Sequence, residues 1–272
     1  MATDPKPGAI DVLAFHAEAG VDAALSEKPI DRFAESAAEP VRAAAAAAAP
    51  RSRPAPPYQP IAPARAAPAL PAADQAVGAA RDVAKNAATL DELRATLARF
   101  DGCALKATAK NLVFADGNPK ARVMFVGEAP GAEEDREGLP FVGRSGKLLD
   151  RMMAAIGLDR TSAYIANIVP WRPPGNRTPT PQEAATCLPF ITRQIELANP
   201  DVLVCLGGPA ALALLGIKEG ITKVRGRWFD YDTGTRTIKA LATFHPAYLL
   251  RTPAAKRLAW RDFLALKKAL SK

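Results

Sequence analysis

From residue 74 onward the apolar positions fall into two rhythms. Residues 74–99 recur at helical spacing, with Leu93, Leu97 and Phe100 on one side and Thr89 or Asp91 placed to cap a start, so one or two helices are predicted. ARVMFVG (121–127) is instead an unbroken apolar run closed by Gly-Glu-Ala-Pro-Gly, the form of a buried strand feeding a loop. GKLLDRMMAAIG (146–157) returns to helical spacing and stops at Gly157. AYIANIV (163–169) reads as a strand, 181–198 as a helix with Pro181 in its first turn, DVLVCLG (201–207) as a strand and 208–216 as a short helix. TIKALATF (237–244) is a last strand and 253–270 a last helix. Strands apolar on both faces and separated by helices predict an α/β fold, a three-layer αβα sandwich around a mostly parallel sheet. A site in such a sheet lies beyond the C-terminal ends of the strands. The 127–131 loop, Asn167, and Phe244 with His245 all fall at such ends.

The first 72 residues follow neither rhythm for long. Residues 9–37 carry short apolar stripes of helical spacing through Ile10, Val12, Leu13, Val21 and Leu25. An alanine run over 43–49 follows, then eight prolines among residues 50–71. Polyalanine buries little surface and proline donates no backbone hydrogen bond, so 38–72 is expected to be a flexible, partly polyproline linker. The expected division is therefore an Ala/Pro-rich extension over 1–72, with a short helix in it, and a folded domain over 73–272. The extension reads either as a docking arm for a partner or as a tail without fixed structure.

Charge separates the same two parts. The chain has 36 Lys and Arg against 28 Asp and Glu, a net +8, but residues 1–99 are close to neutral. The excess lies in residues 100–272, which points to a polyanionic partner. Nothing approaches the ~18 apolar residues of a membrane span. MATDPKPG has no basic region leading into an apolar one, so a secretory signal is not expected. Three cysteines make no disulfide framework, and a monomer in a reducing cytoplasm is expected. With only His16 and His245, a metal site built mainly of histidine is excluded.

The strand ends carry an ordered set of segments: GEAPG (127–131), GLPFVGRSGKLLD (138–150), NIVPWRPPGNRTPTPQE (167–183) and HPAYLLR (245–251). Together they resemble the uracil-DNA glycosylase superfamily, most closely its type-4 branch, over about residues 90–270. The resemblance implies a monofunctional DNA glycosylase that flips uracil out of DNA and hydrolyses its N-glycosidic bond, leaving an abasic site. It implies that Phe141 stacks on the base, that Asn167 reads its O4/N3 edge, and that His245 donates to O2 as charge develops there. Gly127, Ala129, Pro130 and Gly131 would line the pocket through their backbone. In the best-known members an Asp on the first loop handles the attacking water; that position here is Ala129. Glu128 is the nearest replacement, positioning water or balancing the cationic sugar, or else it fixes the loop by accepting from backbone N–H groups. Arg144, Ser145, Lys147, Arg172, Asn176, Arg177 and Arg251 are candidate phosphate contacts. Leu249 or Leu250 could fill the gap left by the flipped base, or belong to the core.

Type-4 relatives also imply a four-iron four-sulfur cluster on four cysteines. Here the leading C-x-x-C reads Phe100-Asp101-Gly102-Cys103, K-C-R-P-P reads with Trp171 at the cysteine, and Cys187 fits the fourth position. Two ligands of four remain, Cys205 reads as core, and no cluster is expected, with Phe100 and Trp171 filling its place. The competing readings are a uracil-DNA binding or damage-sensing module with little turnover, motivated by Ala129, and a small-molecule nucleotide enzyme. The latter lacks any G-x-G-x-x-G or P-loop.

Overall fold

The computed structural model describes residues 73–271; the helix and linker predicted over 9–37 and 38–72 lie outside them, as does the extension as a whole. The predicted helical stretch over 74–99 is two helices, α1 (Ala73–Lys85) and α2 (Leu90–Arg99), broken where Thr89 caps the second by accepting from the Glu92 N–H. A two-residue strand β1 (Asp116–Gly117) leads to β2 (Val123–Gly127), α3 (Ala132–Glu137), α4 (Arg144–Ala154) and β3 (Tyr164–Asn167). Then come α5 (Pro181–Ala198), β4 (Val202–Leu206), α6 (Gly208–Leu215), α7 (Ile221–Val224), β5 (Trp228–Asp232), β6 (Thr237–Thr243), α8 (Pro246–Arg251) and α9 (Lys256–Leu270). The start of α5 is fixed by a reciprocal cap between Thr180 and Glu183 and by Pro181 in its first turn. That start and its long apolar face carry the helix through Pro189.

The sheet order is β1-β3-β2-β4-β6-β5, with the inner four strands parallel and the two edges antiparallel. The edges were not among the predicted strands. The first is only two residues long, and WFDYD mixes acidic with aromatic positions because it borders solvent. Successive residues of the inner strands feed different cores. Met124, Val126, Tyr164, Ala166, Leu203 and Cys205 pack toward α1, α2, α5 and α6. Val123, Phe125, Ile165, Val202, Val204 and Leu206 pack toward α4 and α9. The result is the expected three-layer sandwich. The connections leave the central strands β2 and β4 in opposite directions, so the C-terminal ends of the inner strands open onto a crevice between diverging loops.

Candidate functional site

Those loops enclose a cavity of about 420 Å³. Its wall combines Glu128, Ala129, Pro130 and Gly131 after β2, Asn167 ending β3, Gly207 after β4, His245 after β6, and Phe141 from the segment between α3 and α4. The sheet register sets Gly127 beside Asn167. Only glycine fits there: a Cβ at 127 would stand 2.5 Å from Asn167 Oδ1 and 2.6 Å from Phe141 Cζ.

Phe141 holds a φ of +56°, a costly conformation for a bulky side chain. Two neighbours impose it. The Arg160 guanidinium donates to the carbonyls of Phe141 and Pro140 while pairing with Asp116 and Asp150. Gly146 lets α4 close against the Phe141 backbone, where any Cβ would overlap the carbonyl. The ring centres of Phe141 and His245 lie 5.5 Å apart.

His245 caps α8, its Nδ1 accepting from the Ala247 N–H at 3.1 Å. In the neutral ring the proton therefore sits on Nε2. Burial, then the nearby charge of Arg251, lowers its pKa to about 4 against an opposing pull from Glu134. Glu134 itself is buried and joins two loops: Oε1 accepts from the Gly143 N–H at 2.9 Å and Oε2 from the Gly131 N–H at 3.0 Å. Two buried oxygens remain without a partner among the described residues, Asn167 Oδ1 and Glu128 Oε1. Burial raises the Glu128 carboxyl pKa. An unpaired buried acceptor costs ~1–3 kcal/mol, so a ligand that brings a donor to Asn167 recovers that energy.

The candidate phosphate contacts divide into two groups. Ser145, Asn176, Arg177 and Arg251 border the cavity, and Arg144, Ser145 and Arg251 line a shallower depression beside it with Leu250. Arg144 and Lys147 are exposed. Arg177, by contrast, is engaged by both oxygens of Glu183, and Arg172 donates to Asn176 Oδ1 at 2.7 Å. Arg172, Asn176 and Arg177 thereby brace the loop ahead of α5. Leu249 is buried and belongs to the core, whereas Leu250 is exposed. Sequence reading missed Glu134, Arg160 and Gly207. Glu134 had a signal, since it stands three residues after Gly131 at a helix start. Gly207, at φ +96°, brings its turn against His245, and a Cβ there would lie 3.1 Å from the His245 Cβ.

A profile described as the uracil DNA glycosylase superfamily matches residues 114–264, which spans every strand end of the cavity. The chain belongs to the uracil DNA glycosylase superfamily. Among its relatives, the type-4 uracil-DNA glycosylase of Thermotoga maritima is 45% identical over 173 residues, 62% of this chain and 88% of that protein. The Archaeoglobus fulgidus enzyme of the same name is 40% identical over 179 residues, covering 64% and 90%. That of Saccharolobus solfataricus is 41% identical over 187 residues, covering 67% and 87%.

The cluster implied by the type-4 resemblance does not fit the residues of this superfamily member. Cys103 and Cys187 approach to 3.8 Å between sulfurs, and the Cys187 hydrogen bond lowers the Cys103 thiol pKa. At the other two positions stand Phe100, edge-on to Phe190 with centroids 5.0 Å apart, and the buried Trp171. Cys205 lies within β4. Among the described residues no group of three or more His, Cys, Asp or Glu is arranged to hold a metal. No helix among them is long and apolar enough to cross a membrane.

Proposed function

We propose that this chain is a monofunctional uracil-DNA glycosylase of DNA repair, hydrolysing the N-glycosidic bond of a flipped deoxyuridine to give uracil and an abasic site. The observation that carries this reading is the unpartnered, buried Asn167 Oδ1 beside the Phe141 ring. An acceptor left open beside an aromatic face calls for a flat ring that presents an N–H. Uracil has one at N3, flanked by O4 for the Asn167 amide N–H, whereas cytosine presents an acceptor at N3 and an amino group at C4. The His245 Nε2–H is then the donor for O2, where negative charge grows as the C1′–N1 bond breaks. A neutral imidazole fixed through Nδ1 stabilises that charge without supplying a proton.

Glu128 takes the sugar side, its free oxygen orienting the attacking water that Ala129 cannot. Arg144, Ser145, Lys147 and Arg251 hold phosphates, with Leu250 as the wedge. No lysine serves as a Schiff-base nucleophile, so the backbone stays uncut. The enzyme acts as a monomer in the cytoplasm and holds no iron–sulfur cluster. The extension, 1–72, is a tail outside the catalytic domain, 73–272, or a tether from it to a repair or replication partner.

The test is an oligonucleotide with one uracil, incubated with the protein and then with alkali, beside His245→Ala and Asn167→Ala. Alkali-dependent cleavage at uracil that collapses in both variants is expected. Ala129 also favours a second reading, a uracil-DNA sensor; intact DNA with tight uracil-dependent binding would replace the first reading with it.

A further inference from the structure

Two thiols are enclosed in the aromatic packing behind α5. Cys103 precedes the 3-10 turn Ala104–Ala107 in extended backbone, and Cys187 lies in the second turn of α5, 84 positions later. Their sulfurs are 3.8 Å apart, and both belong to the apolar cluster that holds Trp171 and Phe190. Cys187 is wholly enclosed; Cys103 keeps a trace of exposure at 3%. Neither lines the cavity at the strand ends. Among the described residues no third metal-ligating side chain is grouped with them, and the partner each thiol has at hand is the other.

We propose that Cys103 and Cys187 form an oxidation site that takes a hydroperoxide and closes to an intramolecular disulfide. The Cys103 sulfur attacks the terminal peroxide oxygen, the O–O bond breaks, and protonation of the departing oxygen releases water from hydrogen peroxide. The resulting Cys103 sulfenic acid is attacked by the Cys187 sulfur. An S–S bond forms, the S–O bond breaks, and the hydroxide leaves with the Cys187 proton as a second water. Two thiols lose two electrons in all and one peroxide gains them. A water-sized oxidant suits a residue with so little exposure, and Cys103, the less enclosed of the two, is the one that reacts first. Closure to a bond of ~2.05 Å requires the sulfurs to move by somewhat under about 2 Å. The Cys103 side, in a loop outside any long helix or strand, is where that movement is taken up.

The bond would tie the strap after α2 to the helix whose first turn braces the cavity loop through Glu183 and Arg177. A link across 84 positions restricts the unfolded chain strongly, while the reacting residues of the cavity stay untouched.

The test uses the full chain, reduced and then titrated with hydrogen peroxide, with thiols counted after denaturation and peptides mapped by mass. Two of three thiols should disappear into a crosslink between 103 and 187, returning with dithiothreitol, while Cys205 stays free as the internal control. The oxidised form should melt roughly 4–10 °C higher. Cys103→Ser and Cys187→Ser should each abolish the crosslink and the shift, and Cys205→Ser should keep both, which guards against a misfolded serine variant. Retention of all three thiols, Cys103 oxidised to sulfinic acid without a crosslink, or iron bound at these sulfurs would overturn the proposal. Thiol counts do not depend on uracil excision, so the two readings fail separately.

Discussion

At the strand ends, Glu128 and Asn167 carry buried oxygens that no described residue satisfies, Phe141 sits in a left-handed conformation, and a histidine is held neutral by its surroundings. Behind α5, Phe100, Trp171, Phe190, Cys103 and Cys187 form a packed apolar interior. Both regions border the 167–183 segment, yet one is costly to the fold and the other supports it. The difference teaches where each kind of substitution can be absorbed. An apolar corner of rings and thiols can absorb exchanges among bulky apolar side chains, because its contribution is volume and burial. The pocket at the strand ends cannot, because its contribution on the proposed function is donors and acceptors at fixed places.

The sharpest way to break that comparison is to show that the pocket residues carry little. Removing one preorganised donor typically costs ~10²–10³ in rate, so single-turnover excision by His245→Ala and Asn167→Ala should fall at least that far, with melting temperatures near the parent's. If both variants keep near-parental rates, the pocket assignment is wrong. On the other side, Trp171→Ala should cost about 3–5 kcal/mol in denaturant unfolding, with excision per folded molecule nearly intact. A large loss of rate in a stably folded Trp171→Ala would instead make the apolar corner part of the chemistry.

Glu128 tests both regions' logic in one residue. Its raised pKa means that the folded state favours the protonated form. Its contribution to stability is therefore present at low pH and lost as pH rises through the folded pKa. Glu128→Gln should leave stability at neutral pH unchanged or higher while lowering excision by roughly 10²-fold or more, as the removal of a positioned acid–base group does. His245 runs the other way: its lowered pKa makes acidification below the ordinary histidine range destabilising, and neutral imidazole persists down to about pH 4. The rate profile between pH 5 and 8 should accordingly show no step that His245→Gln removes. The smallest effect belongs to the surface. Arg144→Ala should weaken DNA binding a few-fold regardless of sequence and reduce the salt dependence by about one counterion, read by titration at several salt concentrations.

Much of this was legible in the residue order because burial leaves a pattern. Strands apolar on both faces identified the inner sheet, and Gly127, Asn167 and His245 fell at strand ends where chemistry gathers. Phe141 was found only through the resemblance of GLPFVG, since a lone phenylalanine looks like core. Arg160 left no trace: its partners at 116, 140, 141 and 150 are brought together by folding, and hydrogen bonds across such distances impose no periodicity. The choice between Leu249 and Leu250 depended on the phase of α8, and that short helix was hidden inside HPAYLLR. Edge strands were missed for a similar reason, being too short or too mixed to stand out.

The conformation of Phe141 has a consequence for how an enzyme searches a genome. Because Arg160 and Gly146 hold that ring in place from the folded state itself, the aromatic platform is finished before any base arrives. The strain of that conformation lowers the stability of the fold itself and is not added when a base binds. On the proposed function, a nucleotide that swings out meets a ring whose backbone is already fixed by Arg160 and Gly146.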